Sequence, residues 1–261
     1  MPTALAIHPR LLNLEWADFR YEPYPIGIAR PVFSADLYQE LLESWPESGL
    51  FAFMPKLGKK YSLSEVNNAG EYHKFLERSP IWKEIYLQVK SQEFTRHVLG
   101  VLRGGGVDLG VPDDVTVNAS AGGAAGSSRW ATNLHPQRAT GLKTRFEFSM
   151  LPADGGHIKP HTDSPGKLIT LVVSFCEPRE WEPSFGGGTT VLRALDARHS
   201  FNHLNRQLDF SETESLHTFP FEPNQCVIFV KTFNSLHAVS PMQGAGSPVM
   251  RKTLTINIEI A

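Results

Sequence analysis

Apolar residues recur at two different periods along the chain, and the change of period falls near residue 143. In the first part Leu37, Leu41, Leu42 and Trp45 lie at helical spacing behind Ser34, whose side-chain oxygen suits an N-cap, and Pro46 stops the run. A second helical tract opens at Ser79-Pro80, the expected cap and first-turn pair. It carries Ile81, Trp82, Ile85, Val89, Phe94, Val98 and Leu102, and ends at Gly104-Gly105-Gly106. Between the two tracts, Phe51 to Tyr72 shows neither period and reads as irregular. Ala119 to Gly126, ASAGGAAG, has too little side chain to bury. The stretch 119–141 reads as a loop, with lid, binding loop and disordered connector all open.

From Lys143 onward the pattern changes to short β-type runs separated by Gly and Pro clusters. They are Thr144–Leu151, His157–His161, Lys167–Cys176, Gly188–Leu192, Leu216–Pro220, Cys226–Val230, Ser235–Val239 and Val249–Ile260. Eight short strands with no intervening helix predict an antiparallel sandwich or jelly roll, and the chain as a whole an α+β protein. Arg193 to Ser215, the longest gap, is polar and reads as a loop with a turn of helix.

Composition narrows the class. The 261 residues are 41% hydrophobic and 20% charged, as in an ordinary globular protein, which excludes collagens, disordered tails and coiled coils. With 25 Lys+Arg against 27 Asp+Glu, the net charge of −2 argues against a dedicated binder of nucleic acid or anionic membranes, which needs a basic surplus. No apolar run approaches the ~20 residues of a membrane span. Met1 to Arg10 has no apolar signal core, and the only two cysteines, Cys176 and Cys226, sit beside apolar runs as buried, reduced thiols. A cytoplasmic location follows as the expectation. Neither a Ser-His-Asp order nor a phosphate-binding glycine loop stands out.

What does stand out is His161-Thr162-Asp163. On extended backbone, residues two apart project to one side, so His161 and Asp163 can ligate one ion while Thr162 points away. His237, on a later predicted strand, supplies a second imidazole. Two imidazoles and a carboxylate on one face leave coordination positions open, the arrangement of non-haem Fe(II) oxygenases. Such a centre carries a net charge near +1 and suits a chelating dicarboxylate whose far end needs a cation. Arg251 can be that cation. It shares a strand face with Thr253, so that a guanidinium and a hydroxyl can hold one carboxylate, and its fork suits that role better than the neighbouring Lys252. In the first core strand Arg145, Glu147 and Ser149 share one face, with Phe146, Phe148 and Met150 on the other. Solvent and the active site are both open as readings of the polar face, which makes Arg145 and Ser149, together with Lys159, candidate contacts for substrate or cosubstrate. His157 is not expected as a fourth ligand, and His199 with His203 reads as a solvated loop pair. Asn133, His135 and Arg138 are candidates for capping substrate or for plain loop, and Trp130 and Trp181 for rim anchors or packing.

The ordered set "HIKPHTDSPGKLITLVVSF", "FGGGTTVL", "HAVSPM" and "RKTLTINI" resembles the Fe(II)- and 2-oxoglutarate-dependent dioxygenases, in particular their prolyl-4-hydroxylase-like branch, over Arg145 to Ile258. The resemblance implies a double-stranded β-helix (jelly-roll) core with N-terminal helices packed on one side. It implies iron held by His161, Asp163 and His237, and the 5-carboxylate of 2-oxoglutarate held by Arg251 with Thr253. The spacing from His237 to Arg251 is a few residues longer than is usual in the family, an excess the Gln243–Pro248 turn can absorb. Because Asp163 is present, where the related halogenases have a small residue, the resemblance points to hydroxylation or another oxidation, with hydroxylation of an unactivated C–H bond and formation of succinate and CO2 as the leading reading. O2 is the co-reactant, and a small molecule or amino-acid-like unit the expected substrate. A peptide or protein hydroxylase of prolyl type, and a non-catalytic binding protein on the same fold, are the alternatives. The expected organisation is one oxygenase domain over 1–261, with 1–143 as helical support and loop and 144–261 as core.

Overall fold

The computed structural model describes residues 12–15, 17–118, 141–177 and 179–261. Most of the stretch 119–141, with Trp130, Asn133, His135 and Arg138, therefore lies outside the described residues. The strands are β1 (Asp18–Arg20), β2 (Ile26–Ala29), β3 (Ala52–Met54), β4 (Lys60–Ser64), β5 (Leu142–Pro152), β6 (Ile158–His161), β7 (Lys167–Phe175), β8 (Thr189–Ala194), β9 (Thr213–Phe219), β10 (Cys226–Val230), β11 (His237–Val239) and β12 (Met250–Ile260). Among the described residues four α-helices precede β5: α1 (Ala35–Glu43), α2 (Ala69–Arg78), α3 (Pro80–Val89) and α4 (Gln92–Gly104). The protein is mostly β with an α-helical minority, and all eight runs anticipated after residue 143 are strands.

Those strands form two antiparallel sheets. The larger runs β1-β2-β10-β7-β12-β5-β4-β3 and the smaller β6-β11-β8-β9. From β5 onward the chain crosses repeatedly between them, so that β5, β7, β10 and β12 are neighbours in one sheet and β6, β8, β9 and β11 in the other. β12 is central, pairing along its length with β5 and β7.

Period-two alternation gives the larger sheet two unlike faces. Phe146, Phe148 and Met150 of β5, Leu171, Val173 and Phe175 of β7, and Leu254, Ile256 and Ile258 of β12 join one apolar cluster with the buried stripes of the helices. Trp82 of α3 sits at its centre, 4.8 Å from the Phe148 ring and 5.7 Å from those of Trp45 and Phe175. The opposite face carries Glu147, Ser149, Thr170, Arg251, Thr253 and Asn257, all buried. Of the polar face of β5, Glu147 and Ser149 are enclosed, while Arg145 near the start of the strand is only half-buried.

The N-terminal half departs from expectation in three places. Ser34 does cap α1, but the tract from Pro80 to Leu102 is two helices, because Ser91 accepts a hydrogen bond from the Phe94 N–H at 3.1 Å and restarts the helix. The supposedly irregular Phe51–Tyr72 holds β3, β4 and the start of α2. β4 is ordered by pairing with β5, a tertiary cause that no local period reveals. At the other edge, β2 adds to β10. Among the described residues no helix is long and apolar enough to cross a membrane. Both cysteines are free and buried, as the sequence suggested.

Candidate metal centre and cosubstrate cavity

His161 closes β6 and His237 opens β11, and the register of the smaller sheet sets them directly opposite one another. Their rings lie 4.3 Å apart. Asp163 joins them by a different route from the one expected. The strand stops at His161, and Asp163 takes a left-handed backbone conformation, φ 70°, rather than continuing the alternation. Strain of this kind is held only when the surroundings fix it, here to aim the carboxylate. Its oxygens lie 3.5 Å from His161 Nε2 and 3.9 Å from His237 Nε2, and one ligand atom from each of the three residues falls within 4.8 Å of the others.

The chemistry of these donors fits a metal ion. Both imidazoles turn Nδ1 to a backbone carbonyl at 2.9 Å, His161 to Lys159 and His237 to Ser235. A carbonyl only accepts, so each Nδ1 carries the proton and each Nε2 presents its lone pair to the shared centre. Burial, reinforced by His161, pushes His237 down to about 3, which keeps it a neutral ligand. Burial alone would raise Asp163, but the Lys167 ammonium beside it overrides burial and holds the carboxyl well below its usual range. Lys167 donates to Oδ1 at 2.8 Å and Thr170 to Oδ2 at 3.0 Å. Thr162 points away, as expected, and donates to the Asn202 carbonyl at 2.6 Å.

A cavity of about 130 Å³ opens on the three residues, and Arg251, Thr253 and Ser149 line it as well. Arg251 is 5% exposed. Its Nε donates to the Gly187 carbonyl at 2.5 Å and its guanidinium lies 4.8 Å from the centre of the Phe221 ring. No carboxylate among the described residues pairs with it, and burial depresses it to about 10. Lys252, its neighbour, falls on the other face of β12 and does not line the cavity. Gly187 has φ 78°, and a Cβ there would meet Trp181 at 2.7 Å, so a glycine is required where Arg251 is anchored. Trp181 itself packs against Phe185 and Phe221 behind that anchor.

Two of the candidate contacts are elsewhere. Arg145 pairs with Glu259 at 3.5 Å, and Lys159 with Asp209 at 2.6 Å on the surface; neither lines the cavity. His157, His199 and His203 stand apart from the triad. In their place the structure brings in Lys60, Lys167 and Thr170. Lys167 was legible as the fourth residue after Asp163. Lys60 was not, because it reaches the cavity only through the pairing of β4 with β5.

Residues 146–259 match the family model described as the 2OG-Fe(II) oxygenase superfamily. No curated protein matches the chain. Among solved structures, the epimerase SnoN from nogalamycin biosynthesis, in complex with Fe3+, alpha-ketoglutarate and nogalamycin RO, is similar at 12% identity and a TM-score of 0.52, over 93% of this chain and 81% of that one. A Pseudomonas putida prolyl-4-hydroxylase is similar at 14% identity and a TM-score of 0.46, over 92% and 95%. At such identities the SnoN likeness is one of fold. Residues 146–259, which carry the triad and Arg251, are thus a 2OG-Fe(II) oxygenase domain, the mark of a 2-oxoglutarate-dependent dioxygenase. Its cofactors are those of that family, Fe(II), 2-oxoglutarate and O2.

Proposed function

We propose that the protein hydroxylates an unactivated C–H bond of a small-molecule or amino-acid-like substrate, with His161, Asp163 and His237 as the iron ligands and Arg251 with Thr253 as the seat of the 2-oxoglutarate 5-carboxylate. The observation that carries this reading is the pairing, in one cavity, of a metal-type donor cluster with a buried guanidinium that has no anion of its own among the described residues. Bound Fe(II), with 2-oxoglutarate and O2, supplies the oxidant, leaving succinate and CO2. The chain's own part is positional. The Lys159 and Ser235 carbonyls fix the imidazole tautomers, Lys167 and Thr170 hold the carboxylate of Asp163, and Gly187 with Phe221 aims Arg251. No general acid or base is needed among these groups.

The strand order supports a double-stranded β-helix as the core, and the shared apolar cluster supports helices packed on one side of it within a single oxygenase domain. Free, buried thiols suit a reducing compartment such as the cytoplasm. Anaerobic titration of the protein with Fe(II) and 2-oxoglutarate tests the assignment. A visible metal-to-ligand charge-transfer band that requires both components is expected, and its absence at saturating concentrations refutes the cosubstrate site.

A further inference from the structure

A second cavity of about 270 Å³ lies beside the first and shares Lys167 with it. Its wall is largely apolar, with Leu168, Val230 and Phe233, and it also holds Lys231. Lys231 Nζ donates to Thr162 Oγ1 at 3.0 Å, between two of the triad residues in sequence, and lies 3.5 Å from the Asn202 carbonyl. An ammonium has three N–H donors, so at least one is left for a further acceptor. Lys167 is neutralised by Asp163, but no carboxylate among the described residues pairs with Lys231, which is half-buried. Burial draws it down to about 8 against the pull of Asp163, with Lys167 adding to the fall. At the rim, Phe233 stacks on Phe201 with ring centres 4.1 Å apart, and Phe201 is 69% exposed.

We infer that this cavity receives the substrate, and that the substrate is a small anion with an apolar body, its charged group on Lys231 and its body along Leu168, Val230 and Phe233. The inference rests on the oxygenase reading and adds the substrate class to it. The volume is that of a small molecule, below the roughly 300–1,000 Å³ of drug-sized sites. An unneutralised, half-desolvated cation beside an apolar wall is the recognition element for a carboxylate or phosphate on such a molecule.

The test uses protein loaded with Zn(II) and 2-oxoglutarate, which does not turn over. Phenylacetate, 3-phenylpropionate and 4-phenylbutyrate are titrated calorimetrically against the matching primary amides, with phenyl phosphate as a separate arm. At least one anion is expected to bind about ten-fold more tightly than its neutral counterpart. Lys231→Gln should erase that preference, whereas Phe233→Ala should weaken acid and amide alike. Whichever of carboxylate and phosphate binds more tightly names the charged group. Equal binding of acids and amides, no binding by any probe, or a preference that survives in Lys231→Gln overturns the inference. If Lys231 only staples Thr162 to the Asn202 segment, the variant melts earlier yet keeps the preference. Failure of the oxygenase reading is seen separately, as failure of wild-type protein to take up Zn(II) and 2-oxoglutarate before any probe is added.

Discussion

Replacing Arg251 by methionine separates two roles that the residue combines. In the free protein its charge is a burden, since burial depresses the guanidinium to about 10 from 12.5, a penalty of about 3 kcal/mol at neutral pH. The sign follows from the direction: a base whose folded value is lowered destabilises the fold at every pH below that value, and the penalty fades only as pH rises through it. Against this stand the Gly187 hydrogen bond, worth ~1.5–3 kcal/mol for a charged donor, and the contact with Phe221, worth ~1–2 kcal/mol when desolvated. These nearly cancel, so Arg251→Met should leave the melting temperature of the free protein within a few degrees of wild type. Binding of 2-oxoglutarate should suffer far more. Truncating one partner of a buried, hydrogen-bonded charge pair costs at least ~2 kcal/mol, or about 30-fold in Kd. At a ligand concentration of about 100 times the wild-type Kd, stabilisation falls from ~2.7 kcal/mol to ~0.9 kcal/mol. For a chain of this size that reduces a thermal shift of about 5–10 °C to about 2–3 °C. Thermal melts with Zn(II), with and without 2-oxoglutarate, read both quantities, and Arg251→Lys should recover only part of the shift because it keeps the charge but not the fork. A full wild-type shift in Arg251→Met would show that the cosubstrate is held elsewhere.

Three further outcomes are expected. His161→Ala and Asp163→Ala should each abolish metal retention and substrate-linked succinate formation while leaving a folded protein; activity surviving in either removes the metal assignment. Gly187→Ala touches no ligand, but its Cβ would lie 2.7 Å from Trp181 and 3.3 Å from Arg251 Cδ, so 2-oxoglutarate affinity should drop with metal affinity preserved, measured by separate titrations. Trp82→Ala empties the centre of the helix–sheet cluster, where the side chain is fully buried, and should cost ~3–5 kcal/mol in denaturant unfolding; a loss under 1 kcal/mol would mean that the cluster repacks freely.

Much of the site was legible in the chain because its residues announce themselves by type and local spacing. His161, Asp163 and His237 were picked out as one donor set, and Arg251 as its cationic partner, and the structure brings all four to one cavity. Asp163 nevertheless reaches the two histidines by a different cause from the one expected. Strand alternation was the argument, whereas a left-handed backbone turn delivers the carboxylate. Arg145 and Lys159 lie off the cavity, because polarity marks a charge without saying what neutralises it, and each has its own carboxylate.

The sequence alone determined the eight strands after residue 143 and the apolar stripes of α1, α3 and α4, and it singled out the three side chains that the structure clusters. Each of these is written in a period of two or 3.6 residues, or in side-chain chemistry within a few positions. Tertiary structure decided the rest. Only the register of β6 on β11 sets His161 against His237, and only the pairing of β4 with β5 carries Lys60 to the cavity. The enclosure of the polar face of the larger sheet, and the absence of an anion beside Arg251 or Lys231 among the described residues, likewise depend on contacts between segments far apart in the chain. Burial and charge compensation are properties of such contacts, and no local pattern encodes them.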